Sequence, residues 1–296
     1  MKTRADTPLG RLATAARPAR PWLRVKASGW WARVLITGGA RQQTWQDAHA
    51  NGTTWSDRDL TGAHLTGAYL TGADLVGAYL VGADLTRAEL TGAHLTRAEL
   101  TGAELTGADL TRADLTDAKL TDADLTDAKL TDADLTDAKL TGAILIRANL
   151  IDADLTRADL RGADLASAFL SGAYSTDADL VGANLTHAIL IRADLTGADL
   201  TGANLIDADL TRADLTEANL TETNLTRADL TRANLTEANL TEANLIAVLW
   251  SEQTRWPSDY GAMMRERSVP LGGGRWRVEG SGNSGADLSE PLVPVG

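Results

Sequence analysis

The chain has 296 residues, of which 28 are Lys or Arg and 40 are Asp or Glu, and it contains no Cys and only four His. The lack of Cys excludes disulfides, thiolate zinc sites, iron–sulfur clusters and Cys nucleophiles, and no apolar stretch reaches the roughly 18 residues of a transmembrane helix. Because only 4% of the residues are aromatic although 44% are hydrophobic, an ordinary globular core is not expected.

Residues 1–50 are rich in Arg, Ala, Pro and Trp, and we predict that they form a disordered leader. Residues 1–58 carry 10 basic and 3 acidic side chains, so a contact with nucleic acid or a membrane surface is the alternative interpretation. Arg24, Lys26 and Arg33 interrupt every apolar run, so a secretion signal is not expected. Residues 34–40 (VLITGGA) resemble the start of a dinucleotide-binding turn, but the further glycines of that motif are missing, and no cofactor is predicted.

A repeat of five residues follows the leader. Leu occupies every fifth position from Leu60 to Leu245 except at Ser175, and Ala stands two residues before each Leu from Ala63 onwards except at Thr223. The residue after Leu is usually Thr, so the unit reads A-x-L-T-x. Self-similarity over so long a segment is typical of a repeat architecture.

A period of five fits neither a regular helix nor a regular strand. On an α-helix, five residues advance by about 500°, so successive Leu residues spread around the axis. On a strand, an odd spacing places alternate Leu residues on opposite faces. The pattern is satisfied if A-x-L is extended, with Ala and Leu inward, and T-x turns a corner. Gly is frequent at the x position of this corner, but Arg, Asp and Glu occur there too, so we do not expect a positive φ to be obligatory.

Consecutive A-x-L-T-x units resemble the pentapeptide-repeat family, whose unit reads A-(D/N)-L-x-x. We assign the resemblance to residues 51–248. It implies an all-β fold, namely a right-handed quadrilateral β-helix with four pentapeptides, or twenty residues, in each of about nine coils. Several members of known function carry Phe at the central position, where this chain has Leu almost throughout.

After the repeat, residues 249–271 are predicted to cap the C-terminal end of the solenoid. Thr254-Arg255-Trp256-Pro257 is similar to a T-x-W-P tail common in the family, which usually has Gly at the position of Asp259 and Phe at that of Tyr260. A homodimer contact at this end, as in some relatives, is the alternative. Residues 272–296 are rich in Gly and Ser and are expected to be disordered. The predicted cap residues are Leu249, Trp250, Trp256, Pro257 and Tyr260.

Acidic side chains are concentrated on the repeat, since residues 59–245 hold 31 acidic and 13 basic residues. If a coil contains twenty residues, outward side chains twenty apart form columns. One interpretation is that Asp recurs because it hydrogen-bonds the nearby backbone at a corner, and the other is that an acidic column binds a partner. The candidate partner-binding column consists of Asp74, Asp114, Asp134, Asp154, Asp194 and Asp214.

A second candidate surface is apolar. Five outward side chains form either a partner patch or an ordinary exposed surface. These residues are Tyr69, Tyr79, Phe169, Tyr174 and Ile189.

The leading functional hypothesis is a non-catalytic scaffold or protein–protein interaction module with an unknown protein partner. The alternative is an acidic DNA mimic, because some pentapeptide-repeat proteins resemble B-form DNA and occupy the DNA-binding site of DNA gyrase and other type II topoisomerases. Such binding gives quinolone resistance or self-immunity. Dense negative charge favours binding to a basic groove, whereas Arg147, Arg157, Lys129 and other basic residues interrupt the negative field.

No enzymatic activity is predicted, because the carboxylates lie on a repetitive outer surface without a cleft that would shift their pKa or exclude water. His64, His94 and His187 fall in different columns, so no metal site is predicted either. We expect a bacterial-type cytoplasmic protein that does not insert into a membrane and whose repeat does not bind nucleic acid directly.

Overall fold

The computed structural model describes residues 22–27, 30–35, 54–258 and 260–279. Residues 54–248, here called the solenoid, consist of isolated β-bridges separated by turns, with one bridge in every pentapeptide. Longer elements lie outside this regular part. They are the strands β1 (Trp22–Ala27), β2 (Trp30–Leu35), β3 (Leu249–Ser251), β4 (Ser268–Gly272) and β5 (Arg275–Val278), and the helix α1 (Gly261–Glu266).

Each outward residue of A-x-L bridges the residue twenty positions further along the chain, and every such bridge is parallel. The series runs from Thr54 with Asp74 to Asn224 with Asn244 without a change of spacing. Because four bridges occur in each twenty residues, every coil has four sides. This arrangement confirms the quadrilateral β-helix expected from the family, while its right-handedness and its count of about nine coils stay predictions.

Backbone hydrogen bonds tie each coil to the next. In one representative unit, Leu95 N donates to Asp114 O at 2.6 Å and Arg97 N donates to Thr116 O at 2.9 Å, both across to the following coil. Ala98 N donates to Leu95 O at 2.9 Å and closes the turn within its own coil. The corners therefore satisfy their polar backbone groups while turning the chain.

The corner residue after Thr has a positive φ throughout the solenoid. Gly62 has a φ of 61°, but Arg87, Asp117 and Glu217 have values of 56°, 58° and 60°. Since Thr itself is not in the left-handed region, each corner corresponds to a type II turn, which requires a positive φ at its third residue. The expectation that positive φ is not obligatory here was wrong, because the turn geometry holds regardless of the side chain.

The core is a single stack of inward Ala and Leu side chains, none more than 7% exposed. Trp55 and Trp250 occupy the Leu position of the frame at the two ends of this stack, and each is 3% exposed. The two interruptions are also buried, Ser175 at the Leu position and Thr223 at the Ala position. Thr223 Oγ1 donates to Leu200 O at 2.8 Å, so its hydroxyl is satisfied inside the core.

The C-terminal segment, residues 249–258 and 260–279, packs against the last coil. Its three strands form an antiparallel sheet in the order β3-β5-β4. The ring of Trp250 is stacked on Trp276, with centroids 5.7 Å apart, and meets Trp256 edge-on at 6.0 Å. Disorder from residue 272 onwards was therefore a wrong expectation for residues 275–278, because Trp276 packs in the segment. Residues 280–296 lie outside the described part.

Within the predicted leader, β1 and β2 pair as an antiparallel hairpin, with Trp22 opposite Leu35 and Ala27 opposite Trp30. Their Trp, Val and Leu content is typical of strands. The disordered leader expected from composition is not what the structure shows for residues 22–27 and 30–35. The remaining residues of the leader lie outside the described part of the chain.

Candidate functional site

The structure places all six candidate Asp residues in one column on the solenoid surface. Parallel bridges link its members coil by coil, and only His94 and Tyr174 interrupt the acidic series between Asp74 and Asp214. Three consecutive coils contribute the uninterrupted part of the column. Those three residues are Asp114, Asp134 and Asp154.

These carboxylates also support the corners. The backbone N–H two residues later donates to Oδ1 of Asp114, Asp134 and Asp154 at 3.0, 2.9 and 2.9 Å. This is the local turn in which Asp mimics a backbone acceptor. The contacts support the interpretation that Asp recurs for structural reasons, and they use one oxygen of each carboxylate.

The surroundings of Asp114 in this column, and of two carboxyls in other columns, favour the ionised form. Partial burial opposes ionisation of Asp114, but hydrogen bonds from Thr116 and Thr96, together with nearby His94, outweigh it and hold the pKa of the carboxyl below its ordinary value. The pKa of Asp84 and that of Asp109 are lowered in the same manner, with burial opposing and threonine hydrogen bonds prevailing. These carboxyls therefore carry negative charge at neutral pH.

Five basic side chains in the solenoid pair with acids one coil earlier. Arg147 donates through Nε and Nη2 to the two carboxylate oxygens of Asp127, at 2.7 and 2.6 Å. The hydrogen bond from Arg147 is the main reason that the pKa of Asp127 is lowered. The other pairs with this spacing are Lys119–Glu99, Lys129–Asp109, Arg157–Asp137 and Arg227–Asp207.

Six corner arginines have no ion pair in the described part of the chain, and three of these are consecutive members of one column. Arg192, Arg212 and Arg232 occupy the same corner on three consecutive coils, and Gly172 precedes them. No acid stands one coil before any of the three, and no ion pair involves them in the described part of the chain. Like charges about one strand spacing apart, ~4.8 Å, repel by about 1 kcal/mol in water. The column is thus a ladder of uncompensated positive charge.

The arginine ladder lines a groove of about 590 Å³ that runs along this corner to the C-terminal segment. Arg275 of β5 contributes a fourth guanidinium, because it lies opposite Ser251 in the sheet. Asp152 is the one acidic residue that lines the groove, at its N-terminal end. These arginines make the groove a positively charged surface on an otherwise acidic solenoid, and the groove is therefore a second candidate site.

Two of the exposed aromatic side chains flank the groove. Phe169 is 41% exposed and Tyr174 is 54% exposed, and they lie in the outward positions immediately before and after the corner formed by Ser171 and Gly172. Ile189 stacks on Phe169 but is half-buried. Of the other two predicted apolar residues, Tyr69 lies in the same column as Phe169 and Ile189 but five coils earlier, and Tyr79 lies in a separate column nearer the N-terminus.

The predicted cap residues all lie in the C-terminal segment, at different depths. Trp250 is buried in the core and its Nε1 donates to Ser268 Oγ at 2.9 Å. Trp256 and Tyr260 are partly buried against the same core. Leu249 bridges Asp229 of the preceding coil. The carbonyl oxygen of Pro257 accepts a hydrogen bond from Tyr260 N at 2.9 Å.

Within the described residues, no group of three or more His, Asp or Glu side chains is placed to hold a metal ion. None of the described helices has the length and apolar character needed to cross a membrane.

The family model for pentapeptide repeats matches residues 59–172 and 178–248, which is more than half of the chain. The chain therefore belongs to the pentapeptide-repeat family. No curated protein sequence matches it.

Solved structures of the same family resemble the chain. HetL from the cyanobacterium Nostoc sp. strain PCC 7120, involved in regulation of heterocyst differentiation, is 36% identical, with 65% of this chain and 89% of HetL covered and a TM-score of 0.41. QnrB1, a plasmid-mediated fluoroquinolone resistance protein, is 17% identical over 71% of this chain and 96% of its own, with a TM-score of 0.32. Rfr23 from the cyanobacterium Cyanothece 51142 is 34% identical over 40% and 63%, with a TM-score of 0.15.

Sequence reasoning noted the individual arginines but did not align them. The signal was present, because Arg192, Arg212 and Arg232 are spaced by twenty residues, the same interval that defined the acidic column. Arg275 could not be placed in this way, since it lies outside the repeat and reaches the groove through the pairing of β5 with β3.

Proposed function

We propose that this pentapeptide-repeat protein is a non-catalytic protein-interaction module that acts as a scaffold. The observation that supports this most strongly is that the inward positions of the repeat are uniform whereas the outward positions vary. Inward positions are almost uniformly Ala and Leu, while the chemical variety lies in outward columns held at a fixed spacing by the coil-to-coil bridges. A solenoid of this kind presents an extended, rigid surface suited to another protein.

The ionisation of the carboxyls supports a binding role over a catalytic one. A general acid working near neutral pH needs a carboxyl whose pKa is raised. In the described residues, each Asp with a shifted pKa has it lowered, as for Asp114, where hydrogen bonds outweigh burial, and for Asp127, where the hydrogen bond from Arg147 dominates. Permanently charged carboxylates serve recognition and electrostatic steering. The cytoplasmic location expected from the sequence is part of this proposal.

The proposal also assigns a capping role to the C-terminal segment. Trp250, Met264 and Val278 are at most 4% exposed and belong to the same core as the last Leu residues. They fill the end of the core from within the chain. We therefore do not include a homodimer through this end in the proposal.

Affinity capture followed by reconstitution tests the interaction role. The immobilised full-length protein is exposed to lysate of the encoding organism, retained proteins are identified by mass spectrometry, and binding is then measured with purified components. We expect a saturable complex with at least one partner. The matched control is the variant with Asp114→Asn, Asp134→Asn and Asp154→Asn, which alters the surface while keeping the core. Failure of every captured protein to bind in reconstitution contradicts the proposal.

The second candidate function is DNA mimicry directed at gyrase. The specific observation in its favour is the run of three carboxylates on consecutive coils, Asp114, Asp134 and Asp154. The triple Asn variant tests it, because Asn149 and Asn184 already make the same turn contact with their side-chain oxygens, at 3.2 Å each. The variant should stay folded, and mimicry requires that it lose affinity for gyrase.

A further inference from the structure

We propose that the groove lined by the arginine ladder binds an extended acidic segment of a partner protein. The groove comprises Arg192, Arg212, Arg232 and Arg275 together with the hydroxyl and apolar side chains between them. This inference rests on the proposed interaction function and names the chemistry of the partner.

The arginines of the ladder form no ion pair with acidic side chains of the described residues. At the same corner position elsewhere, Arg147, Arg157 and Arg227 each hold an Asp of the preceding coil through two hydrogen bonds. The unpaired Arg87, Arg97 and Arg112 each have no Arg at the same corner of either adjacent coil. In the ladder, Arg212 and Arg232 follow another Arg and Arg192 follows Gly172. In the described residues this is the one column in which three basic residues succeed one another. An external anion would relieve the repulsion that the chain leaves in place.

Guanidinium groups select the kind of anion. Arg binds carboxylate and phosphate groups through two parallel hydrogen bonds, and it is favoured in protein interfaces. The three ladder arginines span two coil spacings, about 10 Å, and Arg275 lies beyond them, so a single small anion cannot contact all four. An extended peptide places same-side carboxylates about 7 Å apart, which suits guanidiniums on long, flexible side chains.

The walls of the groove favour a peptide over a nucleic acid. The lining contains no aromatic side chain, and the exposed Phe169 and Tyr174 flank only its N-terminal part, so bases would find no continuous stacking surface along the arginine ladder. A duplex would extend onto the flanking outward columns, where Asp209, Asp229, Asp194 and Asp214 carry negative charge. An extended acidic peptide needs no stacking surface and is narrow enough to lie along the arginine ladder without covering these aspartates.

One further observation points to a protein ligand. Phe169 and Tyr174 stand exposed on either side of the N-terminal part of the groove. Aromatic side chains beside arginine are the composition of interface hot spots.

The test is a fluorescence-anisotropy titration of the full-length protein with a labelled peptide of about eight residues carrying Glu at every second position. Such a peptide is about 26 Å long, close to five coil spacings. We expect saturable binding that is at least tenfold weaker for the peptide with Gln in place of Glu. The groove variant (Arg192→Gln, Arg212→Gln and Arg232→Gln) should lose at least tenfold in affinity.

The matched control is the variant with Arg147→Gln, Arg157→Gln and Arg227→Gln, which removes the same charge from the same corner position. It should change affinity by less than twofold. Equal losses in the two variants would overturn the proposal, because they would show a non-specific effect of net charge. Absence of saturable binding to the wild type, or tighter binding of inorganic polyphosphate or oligothymidylate of equal charge, would overturn it as well.

The outcome is separable from that of the proposed function. If capture and reconstitution yield a partner whose affinity the groove variant does not alter, the protein is an interaction module and the groove is not its site. If the acidic peptide binds but no captured protein does, the groove is an anion site and the interaction function fails.

Discussion

At each corner of the solenoid, one residue adopts a conformation that L-amino acids disfavour. Left-handed backbone costs a residue with a Cβ roughly 1–2 kcal/mol, although Asn and Asp tolerate it better. Arg87 and Arg97 hold φ values of 56° and 57°. Two backbone hydrogen bonds per corner, one across to the next coil and one within the turn, maintain this geometry. Strain is thus distributed evenly and is offset by the stacked core.

Replacing corner arginines by glycine should stabilise the fold. Arg87→Gly together with Arg97→Gly is expected to raise the free energy of unfolding by about 1 kcal/mol, because the relief of backbone strain exceeds the extra entropy of Gly in the unfolded chain. Neither Arg takes part in an ion pair within the described residues. Urea unfolding followed by circular dichroism measures the change.

The reverse substitution is the matched control. A Cβ added at Gly82 would meet no atom within 4 Å, so Gly82→Ala probes backbone strain without a clash. It should lower the unfolding free energy by about 1 kcal/mol or less. A destabilised double glycine variant would show that the side chains of Arg87 and Arg97 contribute more than their backbone strain costs.

Among the elements, the C-terminal segment shows how the solenoid ends. Trp250 takes the Leu position of the frame, and the stacked ring of Trp276 brings β5 onto it. One extra residue enters the last coil, where Asn234 bridges Arg255 at a spacing of twenty-one. Thr254 Oγ1 donates to Leu230 O at 2.8 Å and satisfies that carbonyl of the preceding coil. The core therefore ends in packed aromatic side chains and not in a further layer of Leu.

Removing the central ring should destabilise this end first. Trp250→Ala is expected to cost roughly 3–5 kcal/mol, the range for truncation of a large buried aromatic side chain. In a solenoid each coil is stabilised mainly by its neighbours, so the loss should be greatest in the last coils. Hydrogen exchange resolved by mass spectrometry should show faster exchange in residues 225–250 than in residues 75–100.

Leu271 provides the control for that experiment, because it lies in the same segment and is 43% exposed. Leu271→Ala should alter stability by about 0.5 kcal/mol or less. Uniform acceleration of exchange along the whole solenoid in the Trp250→Ala variant would contradict local capping.

For the whole molecule, the lowered carboxyl pKa values predict loss of stability in acid. For Asp84, Asp109 and Asp114, burial acts against ionisation but threonine hydrogen bonds prevail, so the folded pKa lies below the ordinary value of 3.8. The unfolded chain then binds protons more readily as the pH falls. This contribution is fully present above about pH 4 and is lost as the pH drops through the folded pKa values.

Thermal unfolding at pH 7, 5 and 3 checks this expectation. The Tm should change little between pH 7 and 5 and fall clearly by pH 3, and a variant with Asp84→Asn, Asp109→Asn and Asp114→Asn should show a smaller fall. A Tm at pH 3 equal to or above that at pH 5 would mean that relief of repulsion in the acidic solenoid outweighs the lost hydrogen bonds.

The features predicted best from the sequence are those that follow from the five-residue period. A five-residue repeat with inward Ala and Leu fixes the core and, with the family resemblance, the twenty-residue coil that aligns Asp114, Asp134 and Asp154. The positive φ of Arg87 was not predictable from composition, because tertiary hydrogen bonds impose it. Arg212 is unpaired because the ion pairs of the solenoid mostly join a basic residue to an acid one coil earlier, and that position is occupied by Arg192. Only the structure reveals this preference. Strand β5 depends on the packing of Trp276.

The whole surface is a patterned charge distribution and not a uniform acidic field. Ion pairs such as Arg147 with Asp127 neutralise part of the negative charge, and the arginine ladder reverses its sign along one corner. A DNA substitute requires dense negative charge along its length to satisfy a basic groove. The pattern therefore supports the proposed interaction module more than the proposed DNA mimic directed at gyrase.

Gyrase supercoiling, titrated with the purified protein in the presence and absence of a quinolone, tests this central claim most directly. An interaction module with a patterned surface should leave supercoiling and its inhibition by the drug unchanged at low micromolar protein. Inhibition of supercoiling or protection from the drug at that concentration, abolished by high salt and by the triple Asn change at Asp114, Asp134 and Asp154, would contradict the claim and establish DNA mimicry.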